Sequence, residues 1–283
     1  MKRATLFAVV FAAVAALSAG AAHAGAPFVN LEGVGGIAFN PVAYLAGSEP
    51  GAQIGPLEIG KPRVGVWYID LSDSSIDWTP VGVATSFNKR LEVSYGFESI
   101  AVEGLANIHK KTLGAKLLVV DENAAGTKWI PAISIGAKHK STSFPFAENK
   151  SGMDYYVVAT KLITQAPKPI LVSIGAQSTK EQVTGAIGFN NERKVIGFAN
   201  VDVIPASWLC LGVEFRQGPD YGPAGGNYKD ANYYNVHAGF FVDKNLSFAI
   251  AYTNAGENTF NGGKTGSSLG FGGGLVVGVQ YAF

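Results

Sequence analysis

Cysteine is almost absent from this chain. Cys210 stands alone, which excludes an intrachain disulfide even in an oxidising compartment. With no base beside it in the sequence, it reads as an inert small residue. Histidine is nearly as scarce. Beyond the first 24 residues only His109, His139 and His237 occur. They fall on different segments without an H-x-x-x-H pair, so neither a metal centre nor any other cofactor is expected. Charge is sparse and balanced, with 22 basic against 21 acidic side chains, which gives no attraction to nucleic acid. After residue 24 no apolar run approaches the ~18 residues of a transmembrane helix.

The beginning of the chain has a recognisable order. Lys2 and Arg3 are followed by an apolar run from Leu6 to Leu17 and then by Ala22-His23-Ala24. A basic start, a short apolar centre and an A-x-A site make a secretory signal peptide over residues 1–24, not an anchor. Cleavage is expected after Ala24, with Ala26 as second choice. The mature chain then keeps 20 basic and 21 acidic side chains. Its length, roughly 259 residues, suits one large domain.

Alternation dominates the rest. Leu91, Val93, Tyr95 and Phe97 interleave with Glu92, Ser94, Gly96 and Glu98; Leu209, Leu211, Val213 and Phe215 interleave with Cys210, Gly212, Glu214 and Arg216. Leu275, Val277, Val279, Tyr281 and Phe283 share the face of a last strand. Period two over nine or ten residues is a strand signature, and its length suits a tilted membrane strand better than a soluble one. The chain is therefore expected to be all-β, a closed antiparallel transmembrane barrel of about twelve strands. The strands predicted are 63–69, 76–86, 90–98, 107–120, 127–139, 152–163, 169–178, 194–204, 207–216, 231–241, 246–254 and 272–283. Short turns alternate with long loops rich in Gly, Asn, Lys and Ser, the expected asymmetry between periplasmic and outer ends. Residues 25–62, interrupted by Pro41, Pro50, Pro56 and Pro62 and carrying Gly33-Val34-Gly35-Gly36, do not read as barrel wall. A position in the lumen of the 63–283 barrel would shield Ile37, Phe39, Val42, Tyr44 and Leu45 from water.

Four stretches carry a resemblance: LEGVGGIAFNPVAYLA at 31–46, GKPRVGVWYIDL at 60–71, DYYVVATKLITQAPKPILVSIGA at 154–176, and 235–256. They resemble a family of uncharacterised proteobacterial proteins catalogued only as a domain of unknown function. The resemblance implies an outer-membrane barrel and brings no functional residues with it. Separately, Tyr281-Ala282-Phe283 is similar to the terminal aromatic signal read by the machinery that inserts such barrels, which makes Tyr281 and Phe283 the candidate insertion signal.

Apparent catalytic motifs dissolve on inspection. Gly263-Lys264-Thr265 mimics the end of a phosphate loop, but Asn258 stands where its first glycine should be. No nucleophile with a positioned base is marked, so no enzyme is expected. Aromatics such as Tyr95, Phe215, Tyr234 and Tyr252 fit a membrane-interface role. The informative charges lie inside strands. A charge facing lipid costs ~2–4 kcal/mol at mid-bilayer, so Lys110, Lys116, Lys128, Lys138 and Lys161 are expected to line the lumen, with Glu92, Glu98, Glu214 and Arg216 as counterparts. Two readings follow: lumen ion pairs, or a positive wall that favours anions. His237 is expected to face the lumen beside Asn235. The functional expectation is a non-enzymatic outer-membrane barrel, a channel for small solutes or a wall of an export system. The alternative is a structural or assembly barrel closed by 25–62, with a barrel hydrolase third. The expected partners are outer-membrane lipid, the insertion machinery and a small solute.

Overall fold

A computed structural model describes residues 27–71, 74–104, 107–222, 228–254, 256–259 and 268–283. The expected signal peptide, residues 1–24, and Gly263-Lys264-Thr265 lie outside them. Twelve antiparallel strands form one ring: β1 Arg63–Leu71, β2 Ile76–Phe87, β3 Leu91–Val102, β4 Ile108–Val120, β5 Ala132–Thr142, β6 Ser151–Ile163, β7 Ile170–Gln182, β8 Gly188–Ala206, β9 Leu209–Arg216, β10 Tyr233–Phe241, β11 Leu246–Asn254 and β12 Gly273–Ala282. Each pairs with its chain neighbours, and β12 closes on β1 with Leu275 opposite Asp70 and Ala282 opposite Arg63. Closure leaves no unpaired edge among the twelve, the condition for a sheet in lipid.

Burial alternates along every strand because successive side chains point to opposite faces. On β3, Glu92, Ser94 and Glu98 are buried while Leu91, Val93 and Tyr95 are exposed. The outward set is an apolar belt that includes Val66, Val81, Leu113, Leu117, Ile135, Val157, Ile174 and Val213. Tyr234, Tyr252, Tyr281 and Phe283 also point outward. The inward set is mostly polar. This inversion of a soluble protein's pattern places the barrel in the bacterial outer membrane.

Three sequence expectations need correction. Lys128 is not on a strand: residues 121–131 are an exposed turn, pinned by Asn123 N donating to Ile130 O (2.9 Å), and β5 begins only at Ala132. Pro131, without an N–H, cannot carry the ladder further back. Lys161 is on the outward parity of β6, since Asp154, Tyr156, Val158 and Thr160 are the buried ones. It sits at the short-turn end, where its ammonium bonds Glu122 (2.9 Å) and Asn123 (2.6 Å). The third concerns residues 25–62. Their last part is a β-hairpin outside the lumen, Pro50–Ile54 paired with Leu57–Gly60, joined to the barrel by Ile59 opposite Phe87. Pro80 is accommodated at a gap in the β1–β2 ladder, between Trp78 and Val81, where its missing N–H costs no bond.

Candidate functional site

The lumen is occupied by the chain's own residues 27–47. The segment starts at the short-turn end, where Phe28 stacks on Phe241 (5.8 Å) and Trp67 Nε1 donates to Val29 O (2.8 Å). It reaches its deepest point at Glu32-Gly33 and returns through Ala43 and Tyr44 to Gly47, whose carbonyl accepts from Ser86 Oγ (2.8 Å). Such irregular backbone at membrane depth must have its polar groups satisfied by protein, and inward wall side chains do this. Glu214 accepts from the N–H groups of Ala38 (3.1 Å) and Asn40 (2.8 Å). Glu92 accepts from Gly35 N (2.8 Å) and Ala46 N (2.6 Å), and Lys116 donates to the carbonyls of Gly35, Val42 and Tyr44 (2.8, 3.1 and 2.7 Å). Thr160 Oγ1 accepts from Ala43 N (2.8 Å), and Ser134 Oγ donates to Ala43 O (2.6 Å).

The wall makes room for the segment with glycine. Gly65, Gly82 and Gly96 are register partners in a row across β1, β2 and β3. A Cβ on Gly82 would stand 2.7 Å from Gly33 Cα, and one on Gly96 2.4 Å from Glu32 O. The segment therefore lies against bare strand backbone.

Its tip carries the main electrostatic feature. Glu32 is buried and holds three ammonium groups: Lys138 on Oε2 (2.6 Å), with Lys110 (3.3 Å) and Lys140 on Oε1. Lys110 also meets Glu98 (2.9 Å), Lys140 meets Asp154 (2.8 Å) and Glu181 (2.5 Å), and Arg216 meets Glu181. Thr179 and Gln177 complete the shell through Asp154 (2.5 and 3.2 Å). Four carboxylates face four cations. The balance matters, because a buried charge without a partner costs several kcal/mol. A cavity of about 50 Å³ adjoins this centre, lined by Ile69, Leu71, Trp78, Arg216, Phe271 and Val276 among others.

Above it, toward the long-loop end, Val183-Thr184-Gly185 folds inward. Val183 N donates to both oxygens of Asp230 (3.2 and 3.0 Å), and Tyr228 donates to the same carboxylate. Val183 (φ 48°) and Thr184 (φ 55°) are both β-branched and left-handed, a conformation costing ~1–3 kcal/mol per residue unless its surroundings impose it. Burial of Val183 against the neighbouring apolar cluster and the Asp230 clasp supply that restraint.

A second polar cluster lies nearer the short turns. His237 bonds Asp202 (2.7 Å) and Asn235 (2.8 Å), spanning Gly212, where any Cβ would collide with both the imidazole and the carboxylate. Cys210 Sγ contacts Asp202 (3.7 Å). The thiol thus shares the Asp202 oxygen that also meets His237. Among the described residues no group of three His, Cys, Asp or Glu side chains is arranged to hold a metal.

Of the candidates read from the sequence, Lys110, Lys116, Lys138, Glu92, Glu98, Glu214 and Arg216 all point inward and are buried. Lys110 lies directly opposite Glu98, and Lys116 opposite Glu92. Tyr281 and Phe283 pack edge to face (5.2 Å) on the outside, at the short-turn end. Glu32, Lys140, Asp154 and Glu181 were missed. Lys140 has the same parity as Lys138, so extending the expected strand 127–139 by one residue would have found it; Glu32 gave no periodic signal at all.

A family model described as a protein of unknown function, DUF3034, matches residues 25–270. The chain belongs to this family. No curated protein matches it. Among solved structures, the KdgM porin aligns with a TM-score of 0.51 at 13% identity, covering 78% of this chain and 99% of that one. The Acinetobacter baumannii outer membrane protein Omp33 aligns at 0.46 with 6% identity, covering 79% and 98%. At such identities the KdgM likeness is one of fold, a closed outer-membrane barrel.

Proposed function

We propose that this DUF3034 protein is a non-enzymatic outer-membrane channel for small solutes, closed at rest by its own residues 27–47. The observation that carries the reading is how the segment is held. Apart from Gly47 at its exit, where Ser86 N donates (3.3 Å), its bonds to the wall use side chains on one partner or the other. The ring of strand pairs is complete without it. The segment can therefore leave the lumen while the barrel stays shut to lipid. Twelve strands enclose more space than the filled eight-stranded barrels, so an emptied lumen has room for a solute. The KdgM porin, which has been solved in complex with disordered oligogalacturonate, supports the idea that this fold can admit one. Charged walls and an aqueous lumen are what solute selectivity requires.

The test is planar-bilayer conductance of the full chain and of a chain lacking residues 27–47. The full chain is expected to be mostly silent, and the shortened barrel to conduct in steady steps. A folded, heat-modifiable deletion protein that never conducts would overturn the channel reading.

One observation favours the structural alternative. The hairpin Pro50–Gly60 projects at the short-turn end with Ile54 63% exposed, and its outer strand is an open edge suited to pairing with another chain. In that reading the barrel is a permanently closed platform, and the silent deletion protein is the result that would favour it.

A further inference from the structure

The lysine centre is one negative charge short without the inserted segment. The wall supplies Lys110, Lys138, Lys140 and Arg216 against Glu98, Asp154 and Glu181. Glu32 completes the set. Take it away and Lys110 keeps Glu98, Lys140 keeps Asp154 and Glu181, and Arg216 keeps Glu181. Lys138 keeps two neutral partners, the amide oxygen of Gln177 (2.8 Å) and the ring of Tyr156 (5.5 Å to its centroid). An ammonium facing one amide and one ring lacks a counter-charge. The wall is therefore built around an anion that it does not itself provide.

We infer that this centre is a binding site for the carboxylate of a small monoanionic solute, and that Glu32 occupies it as a tethered stand-in. The inference rests on the channel reading, since a solute reaches the centre only when the segment moves. Three features define the ligand class. The two oxygens of Glu32 are addressed separately, one by Lys138 and the other by Lys110 and Lys140, which suits a carboxylate better than a spherical halide. The charge count calls for a single negative charge; a dianion would leave the buried centre negative. The adjoining cavity has room for a short tail. It is walled by Ile69, Leu71, Phe271 and Val276 on one side and by Leu31 and Phe39 of the segment on the other, and two lining donors, Trp78 Nε1 and Arg216 Nε, are buried without a hydrogen-bond partner among the described residues. A short hydroxycarboxylate would offer these donors an acceptor.

The site also accounts for closure. A solute carboxylate and Glu32 cannot hold the same ammonium groups together, so binding of one releases the other, and differential affinity for the open state is what shifts such an equilibrium.

The experiment removes the tethered anion and supplies free ones. Glu32→Ala in the full chain is expected to melt below wild type in chloride. Sodium lactate or acetate at equal ionic strength should raise its Tm saturably by about 2–4 °C, a shift a modest site gives a domain of this size. Sulfate should not reproduce it. Wild type, with Glu32 in place, and Glu32→Ala/Lys138→Met should show no such rise. If Glu32→Ala fails to fold in chloride, refolding yield becomes the readout, and lactate should restore it. An equal response to chloride, equal responses in wild type and variant, or a lack of rescue would overturn the inference. The barrel lacking 27–47 separates the two proposals. Conduction without rescue sinks the site and keeps the channel; rescue in a barrel that never conducts keeps the site and sinks the channel.

Discussion

The glycine row gives the sharpest test of how the lumen is filled. In Gly82→Ala the new Cβ would lie 2.7 Å from both Gly33 Cα and Val29 Cγ1. Distances this short force a shift, and neither strand backbone nor a segment bonded along its length can move cheaply. Overpacking of this kind costs ~1–3 kcal/mol. The barrel ring is untouched, so the cost falls on the seated state of the segment. At ~1.4 kcal/mol per factor of ten, the unseated population should rise roughly 5- to 140-fold. It can be read without any assumption about conductance. Val34, 1% exposed in the lumen, is replaced by cysteine in a Cys210→Ser background, and its maleimide labelling rate is measured in outer-membrane vesicles. Where opening is fast relative to labelling, the rate follows the unseated population, so it should rise by the same factor. The control is Gly197→Ala, whose Cβ would meet nothing closer than Gln217 Oε1 at 3.9 Å. Equal labelling rates in Gly82→Ala and Gly197→Ala would refute the argument that the segment rests on bare glycine backbone.

Three further outcomes are expected. Lys116→Met strips three carbonyls of the inserted segment of their donor and leaves Glu92 without its 2.9 Å partner; a loss of ~3–5 kcal/mol should appear as a clearly lower midpoint of heat-modified gel migration. Burial, helped by the charge of Glu181, pushes the Asp230 carboxyl up to about 8 against the opposing effects of Tyr228, the Val183 N–H and Arg216. Its folded state thus holds a proton that an unfolded carboxyl loses near ~3.9, so its contribution is full below that pH and is lost as pH rises through about 8. Wild type should therefore melt at lower temperature at pH 9 than at pH 5, and Asp230→Asn should lose that part of the slope; an unchanged slope would show that Asp230 is not its source. Deleting Phe283, or replacing it with Asp, should lower the amount of heat-modifiable barrel in the outer membrane, and normal levels in both variants would count against a terminal insertion signal.

The wall was legible because lipid enforces period two on both faces at once. Apolar residues had to be outside, so Leu91, Val93, Leu113 and Leu117 fixed the parity of β3 and β4, and with it the inward direction of Glu92, Glu98, Lys110 and Lys116. The same reasoning failed at Lys161 for a physical cause. Lys161 has the parity opposite to Val158, and an apolar Val158 facing lipid would turn Lys161 inward, yet Val158 is fully buried beside Val34 and Ala43 of the inserted segment. A filled lumen makes part of the inner face apolar, and the rule that sorts faces loses its contrast. At Lys128 the failure was one of boundary: the expected strand ran back through Thr127–Pro131, whereas β5 begins only at Ala132.

The inserted segment itself leaves no periodic trace, because its conformation is set by what it lies against rather than by its own pattern. Gly33 illustrates this. Its φ of 87° admits glycine readily, and a Cβ there would meet the Tyr95 backbone at 2.6 Å. In the sequence it looked only like a poor strand residue. Glu32 beside it looked like one more charge. Its meaning comes from Lys110, Lys138 and Lys140, which lie 78, 106 and 108 residues further along the chain on two adjacent strands. Of the lysines from which parity suggested a positive wall, Lys110, Lys116 and Lys138 face the lumen, and the wall's own carboxylates pair with the first two while Glu32 pairs with the third. On the proposed channel reading, the wall faces solute only when residues 27–47 leave the lumen, and selectivity and closure are then set by the same carboxylate.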